Sequence, residues 1–200
     1  MTKNSKVILI ITIALVVAGL AFTFPPIAQD PAYHDFADQR GWLGTPNFGD
    51  VMSNLSFLFF GLMGVGAVYL GRSDLFTIKG EHIPWQVFFV GTFLIGFGSG
   101  YYHWEPNNHT LVWDRLPITI AFMSFFSVVI MEHLNEKGGL FLLPVLLIVG
   151  AASVLYWDHT ESLGQGDLRP YALVQFLPIL LLPLMFWLLP ARYSRFKYLG

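Results

Sequence analysis

Six stretches of the sequence, near residues 7–24, 51–70, 84–103, 115–131, 139–157 and 171–190, are almost unbroken runs of apolar side chains. A helix needs roughly 18 to 20 such residues to cross about 30 Å of hydrocarbon, and these runs have that length. In lipid every backbone N–H and C=O must be satisfied inside the segment, so a crossing run has to be a helix. Composition agrees: 12% of residues are charged, against about 25% in a soluble domain. The fold class that follows is all-α, a polytopic transmembrane helix bundle with six helices in this chain.

The first run follows MTKNSK and ends in AFTFPPIAQD, without a small-residue cleavage site. Residues 1–25 therefore read as a retained signal-anchor helix and residues 26–200 as one membrane domain. When the six runs are threaded as alternating crossings, one end collects Lys3, Lys6, Arg72, Lys79, Lys137, Arg192, Arg195 and Lys197. Only Arg40, Arg115 and Arg169 fall at the other end. The positive-inside rule makes the first end, with the N-terminus, cytoplasmic. The bilayer is the expected surrounding partner, in a bacterial inner membrane with the second end facing the periplasm. A net charge of −2 argues against a nucleic-acid partner, and the absence of cysteine removes disulfides and thiolate ligands.

The polar residues of the outer end gather in a few places. In GFGSGYYHWEPNNHTLVWDRLP, residues 96–117, Ser99 and His103 are four apart and share a helix face. Asp114 is expected to open the next helix after a short loop, which returns it to the level of His103. Ionisable groups at membrane depth are costly and face a partner or a wet cavity, so these three are candidate site residues. The second run begins NFGDVMSNLSF, with Asp50, Ser53 and Asn54 on one face. Before and within the sixth lie Asp167, Arg169, Tyr171 and Gln175. Together these seven outline a supporting polar cavity open to the outer side. Glycines 91, 96, 98 and 100 on the third helix are expected to let neighbouring backbones approach closely.

GSGYYHWEPNNHTLVWDRLPITI resembles the serine, histidine and aspartate signature of the alkaline ceramidases, membrane hydrolases whose superfamily includes the progestin and adiponectin receptors. SNLSFLFFG, FADQR, GTPNFGDVMSNL and GDLRPYALVQF are similar to the bacterial ceramidase-domain branch, and the resemblance covers residues 33–198. It implies a seven-helix core preceded by one extra helix, with the last two core helices missing from this chain. It also implies zinc-dependent hydrolysis of a lipid amide, ceramide-like, by a metal-activated water at the outer face. The histidine matching His103 would ligate zinc, Asp114 would take the water's proton, and Ser99 would hydrogen-bond the developing oxyanion. A calcium site would draw oxygen ligands from Asp35, Asp38 and Asn47.

The family completes its zinc site with an HxxxH pair on the last helix, and no HxxxH occurs here; the histidines are His34, His82, His103, His109, His133 and His159. The expected partner is a membrane lipid substrate. The other readings are a non-catalytic lipid-binding or receptor-like protein and, third, a proton-coupled transporter.

Overall fold

The computed structural model describes residues 1–71, 76 and 78–191. Arg72, Arg192, Arg195 and Lys197, counted above as cytoplasmic charges, lie outside the described residues. Helices α1 (Lys3–Ala21), α2 (Phe48–Ser53), α3 (Leu55–Leu70), α4 (His82–Trp104), α5 (Asn108–His133), α6 (Glu136–Ser162) and α7 (Arg169–Leu188) are joined by turns and one longer irregular segment. Among the described residues there is no β-strand; a lone bridge between Trp42 and Thr45 closes a turn. Helices α2 and α3 form one span, Phe48–Leu70, so six spans are long and apolar enough to cross a membrane. The chain is an all-helical, membrane-spanning bundle.

Local chemistry sets the helix ends. Asn107 and Thr110 form a reciprocal capping box, the Asn107 side chain accepting from the Thr110 amide at 2.9 Å and the Thr110 hydroxyl from the Asn107 amide at 3.2 Å. Asn135 caps α6 by accepting from the Gly138 amide at 2.8 Å. Between α5 and α6 only residues 134 and 135 are left over, which forces an antiparallel hairpin. The α2–α3 span breaks at Asn54, whose side-chain amide donates to the Asp50 carbonyl at 2.8 Å.

Close approach of α4 to its neighbours rests on glycine. A Cβ on Gly98 would collide with the Trp113 carbonyl of α5. That carbonyl is the one Pro117 leaves without its i+4 amide, so a Cα–H of α4 meets a backbone oxygen that the helix itself cannot satisfy. On the other side, Gly96 lies against Leu58 of α3. The expected packing role therefore holds at both sites, whereas at Gly100 the nearest atom to an added Cβ is the Asn54 Cβ, at 3.9 Å.

The two ends of the bundle are chemically distinct. At one, Ile10 packs with Val129, Ile130, Leu181, Met185 and Leu189. There Lys3 donates to the Leu134 carbonyl at 2.9 Å and Lys6 to the Leu188 carbonyl at 2.7 Å, each ammonium satisfying a carbonyl at a helix C-terminus. At the other end Tyr102, Leu111, Val112, Val154, Trp157 and Tyr171 form a second cluster. The alternation expected from threading the runs is thus the observed one.

Candidate functional site

Ser99 and His103 lie one turn apart near the C-terminus of α4, and Asp114 lies on the facing side of α5. Asp114 does not open its helix: α5 begins at Asn108, so the carboxylate sits nearly two turns inside. The polar NNHT segment, which looked like loop, is the capping box and first turn. Asp114 is 8% exposed, and Ser99, His103 and Arg115 are the groups that act on its carboxyl. Ser99 is equally buried. The Nδ1 of His103 is buried without a hydrogen-bond partner.

The segment between α1 and α2 covers this end. The ring of Phe36 lies 4.5 Å, centroid to centroid, from that of His103. Asn47 donates its side-chain amide to the His103 carbonyl at 2.8 Å, satisfying one of the carbonyls that the end of α4 leaves open. His34 bonds the Tyr102 hydroxyl and the Asn108 side-chain oxygen, each at 2.9 Å. Both ring nitrogens of His34 are therefore engaged away from His103. Further back, the Leu168 amide donates to the Ile27 carbonyl at 2.8 Å, and the Gln29 amide donates to Glu161.

The remaining expected residues divide. Asn54, 4% exposed, is buried beside α4, while Ser53 is exposed and returns its hydroxyl to the Asp50 carbonyl at 2.7 Å. Asp167, 2% exposed, is held bidentately by Arg169, which is the first residue of α7 rather than preceding it. This ion pair keeps the Asp167 carboxyl below the usual carboxylate range. Arg169 also donates to the Phe24 carbonyl at 2.6 Å, which makes the pair a clasp for the end of α1. Tyr171 is buried against Arg115, and Gln175 is half-buried a turn further along α7.

Sequence reasoning missed the surroundings of Arg115. Its guanidinium, 5% exposed, lies 4.0 Å from the Trp157 ring centroid, 4.5 Å from that of Tyr171 and 5.8 Å from that of Tyr33. Its Nη2 donates to the Gln29 side-chain oxygen at 2.6 Å, whereas its Nη1 is buried without a partner. Only the WDR triplet in the sequence hinted at a special cation.

Two metals were expected. A catalytic zinc takes three protein ligands and one water, but among the described residues no three His, Cys, Asp or Glu side chains gather to hold an ion. The unpartnered His103 Nδ1 and the Asp114 carboxyl supply two donors, so the described residues do not fit a complete catalytic zinc site. For calcium, Asp38 already has its cation: Arg40 Nε lies 2.5 Å from Oδ1, and the Gly49 amide donates to Oδ2 at 2.6 Å. Asp35 accepts from Gln39 at 2.9 Å, and Asn47 serves His103 as above. All three residues lie on the covering segment, and each makes a hydrogen bond that helps to fold it.

Fold and site together define a membrane-spanning helical bundle with a buried serine and aspartate and a half-buried histidine at one end. Compared with known protein families, curated proteins and solved structures, the chain matches none of them. The ceramidase resemblance therefore rests on the residues quoted for it.

Proposed function

We propose that this chain is a membrane hydrolase of lipid amides, of the ceramidase type, working through Ser99, His103 and Asp114 at the outer face of the membrane. The observation that carries the reading is the convergence of these three side chains from two helices at one level, with Ser99 and Asp114 buried. The connectivity differs from that of a serine-nucleophile triad, in which histidine stands between serine and acid. Here the serine and the histidine both act on the carboxylate, and the histidine does not stand between them. That arrangement suits a carboxylate that takes a proton from an attacking water while the serine hydroxyl donates to the carbonyl oxygen. The C–N bond then breaks, and the amine leaves with the proton that Asp114 held. His103, with a buried nitrogen lacking a partner, is the group left to bind whatever completes the site. The short donor set favours a second reading, a lipid-binding or receptor-like protein without turnover.

The test is hydrolysis of a fluorogenic ceramide by the detergent-purified chain, with zinc per chain measured in the same preparation. Turnover lost in Asp114→Asn is expected. Saturable lipid binding without turnover, in wild type and variant alike, would overturn the hydrolase in favour of the binding protein. About one zinc per chain, lost in His103→Ala, would show that a further donor is recruited.

A further inference from the structure

Arg115 is a buried cation whose surroundings leave it incomplete. Among the described residues no carboxylate lies within ion-pair distance of it, the two recorded ion pairs being Arg40 with Asp38 and Arg169 with Asp167. Aromatic faces offset part of the cost of burying a guanidinium, and the neutral Gln29 amide takes one arm of its fork. The second arm, Nη1, is buried and points to no acceptor. A water could satisfy that N–H but would leave Arg115 with no carboxylate among the described residues at ion-pair distance.

We propose that Arg115 anchors a subsite for the carboxylate of a single-chain lipid. The charge inventory selects the ligand class. The other two arginines of this end are held by Asp38 and Asp167, and Asp114 is the neighbouring residue, so a single cation is available to a ligand. That balances a monoanion, whereas a phosphate dianion would keep one charge uncompensated. A carboxylate also matches the planar fork of a guanidinium. Tyr33, 53% exposed, and Gln29 lie between Arg115 and the surface, so a ligand enters by displacing the covering segment. Arg115 and Asp114 interact electrostatically, so a head group held on Arg115 lies within the field of Asp114. The subsite is a matter of binding and stands whether or not the neighbouring triad hydrolyses anything.

The experiment is equilibrium dialysis of the full chain in maltoside detergent against labelled dodecanoate and, separately, dodecanol. Wild type is expected to bind the acid at least about tenfold more tightly than the alcohol, the return from one hydrogen bond to a charged partner. Arg115→Met is expected to bind both alike, with Arg115→Lys in between because it keeps the charge and loses the fork. Equal affinity of wild type for acid and alcohol would overturn the proposal without recourse to any variant, as would an undiminished acid preference in Arg115→Met. Asp114→Asn removes a neighbouring negative charge, so it should strengthen the acid preference while abolishing hydrolysis, which separates this proposal from the hydrolase reading. N-Dodecanoylglycine distinguishes the source of the carboxylate. If it binds more tightly than dodecanoate and is cleaved, the carboxylate belongs to a substrate; if dodecanoate binds more tightly, it is that of an acyl product.

Discussion

The three residues of the candidate site have different consequences when changed. Asp114→Asn keeps shape, but it removes the base. Hydrolysis should fall by about 10²- to 10⁴-fold, the usual contribution of a positioned general base, with thermal unfolding little changed. An assay on the fluorogenic amide beside a melting curve checks both halves; a large drop in melting temperature would assign Asp114 to the scaffold instead. Ser99, His103 and Asp114 were legible because the first two obey helical spacing and the third follows on the return helix. Arg115 was not. Its partners Gln29 and Tyr33 sit on an irregular segment more than eighty positions away, and no periodic pattern links such a segment to a helix face. The position of Asp114 within α5 was misread for a related reason: polar caps such as Asn107 and Thr110 look like loop until their reciprocal bonds are seen.

At the level of elements, the α4–α5 contact decides whether the site assembles. Gly98→Ala places a methyl group against the Trp113 carbonyl and must push the two helices apart, whereas Gly100→Ala has 3.9 Å to its nearest neighbour. Overpacking of this kind costs about 1–3 kcal/mol. Gly98→Ala should therefore melt earlier and lose activity, while Gly100→Ala behaves as wild type, as differential scanning in detergent would show. The covering segment adds a pH dependence. Arg40, hydrogen-bonded to Asp38, holds its carboxyl down from 3.8 to about 2. A depressed acid stabilises the folded form above its unfolded pKa and ceases to as pH falls through the folded one. The turn joining Asp38 to the Gly49 amide should thus stay closed above about pH 4 and open on descent toward pH 2. Hydrogen exchange at Gly49, which donates to Asp38, reports this directly; Asp38→Asn should raise its exchange already at neutral pH.

Across the whole molecule, six apolar runs were enough to read the number of spans and their alternation, because the bilayer permits few other solutions. Which end faces which compartment is argued from charge. Lys3, Lys6, Lys79 and Lys137 lie at one end, and the site at the other. If the positive-inside rule holds here, His103 and Asp114 work on the outer side, and lipid reaches them from the outer leaflet. The chain contains no cysteine, so single cysteines can be placed without background. Glu105, exposed just past the end of α4, and Lys137, exposed at the start of α6, mark the two ends. In intact bacterial cells a membrane-impermeant maleimide should label Glu105→Cys and leave Lys137→Cys unmodified until the cells are broken. The reverse pattern would put the site in the cytoplasm, where it would draw on a different leaflet and a different lipid pool. Labelling of both in intact cells would mean that the chain inserts in two orientations, and the balance of lysine at its ends would then be too weak to set the topology.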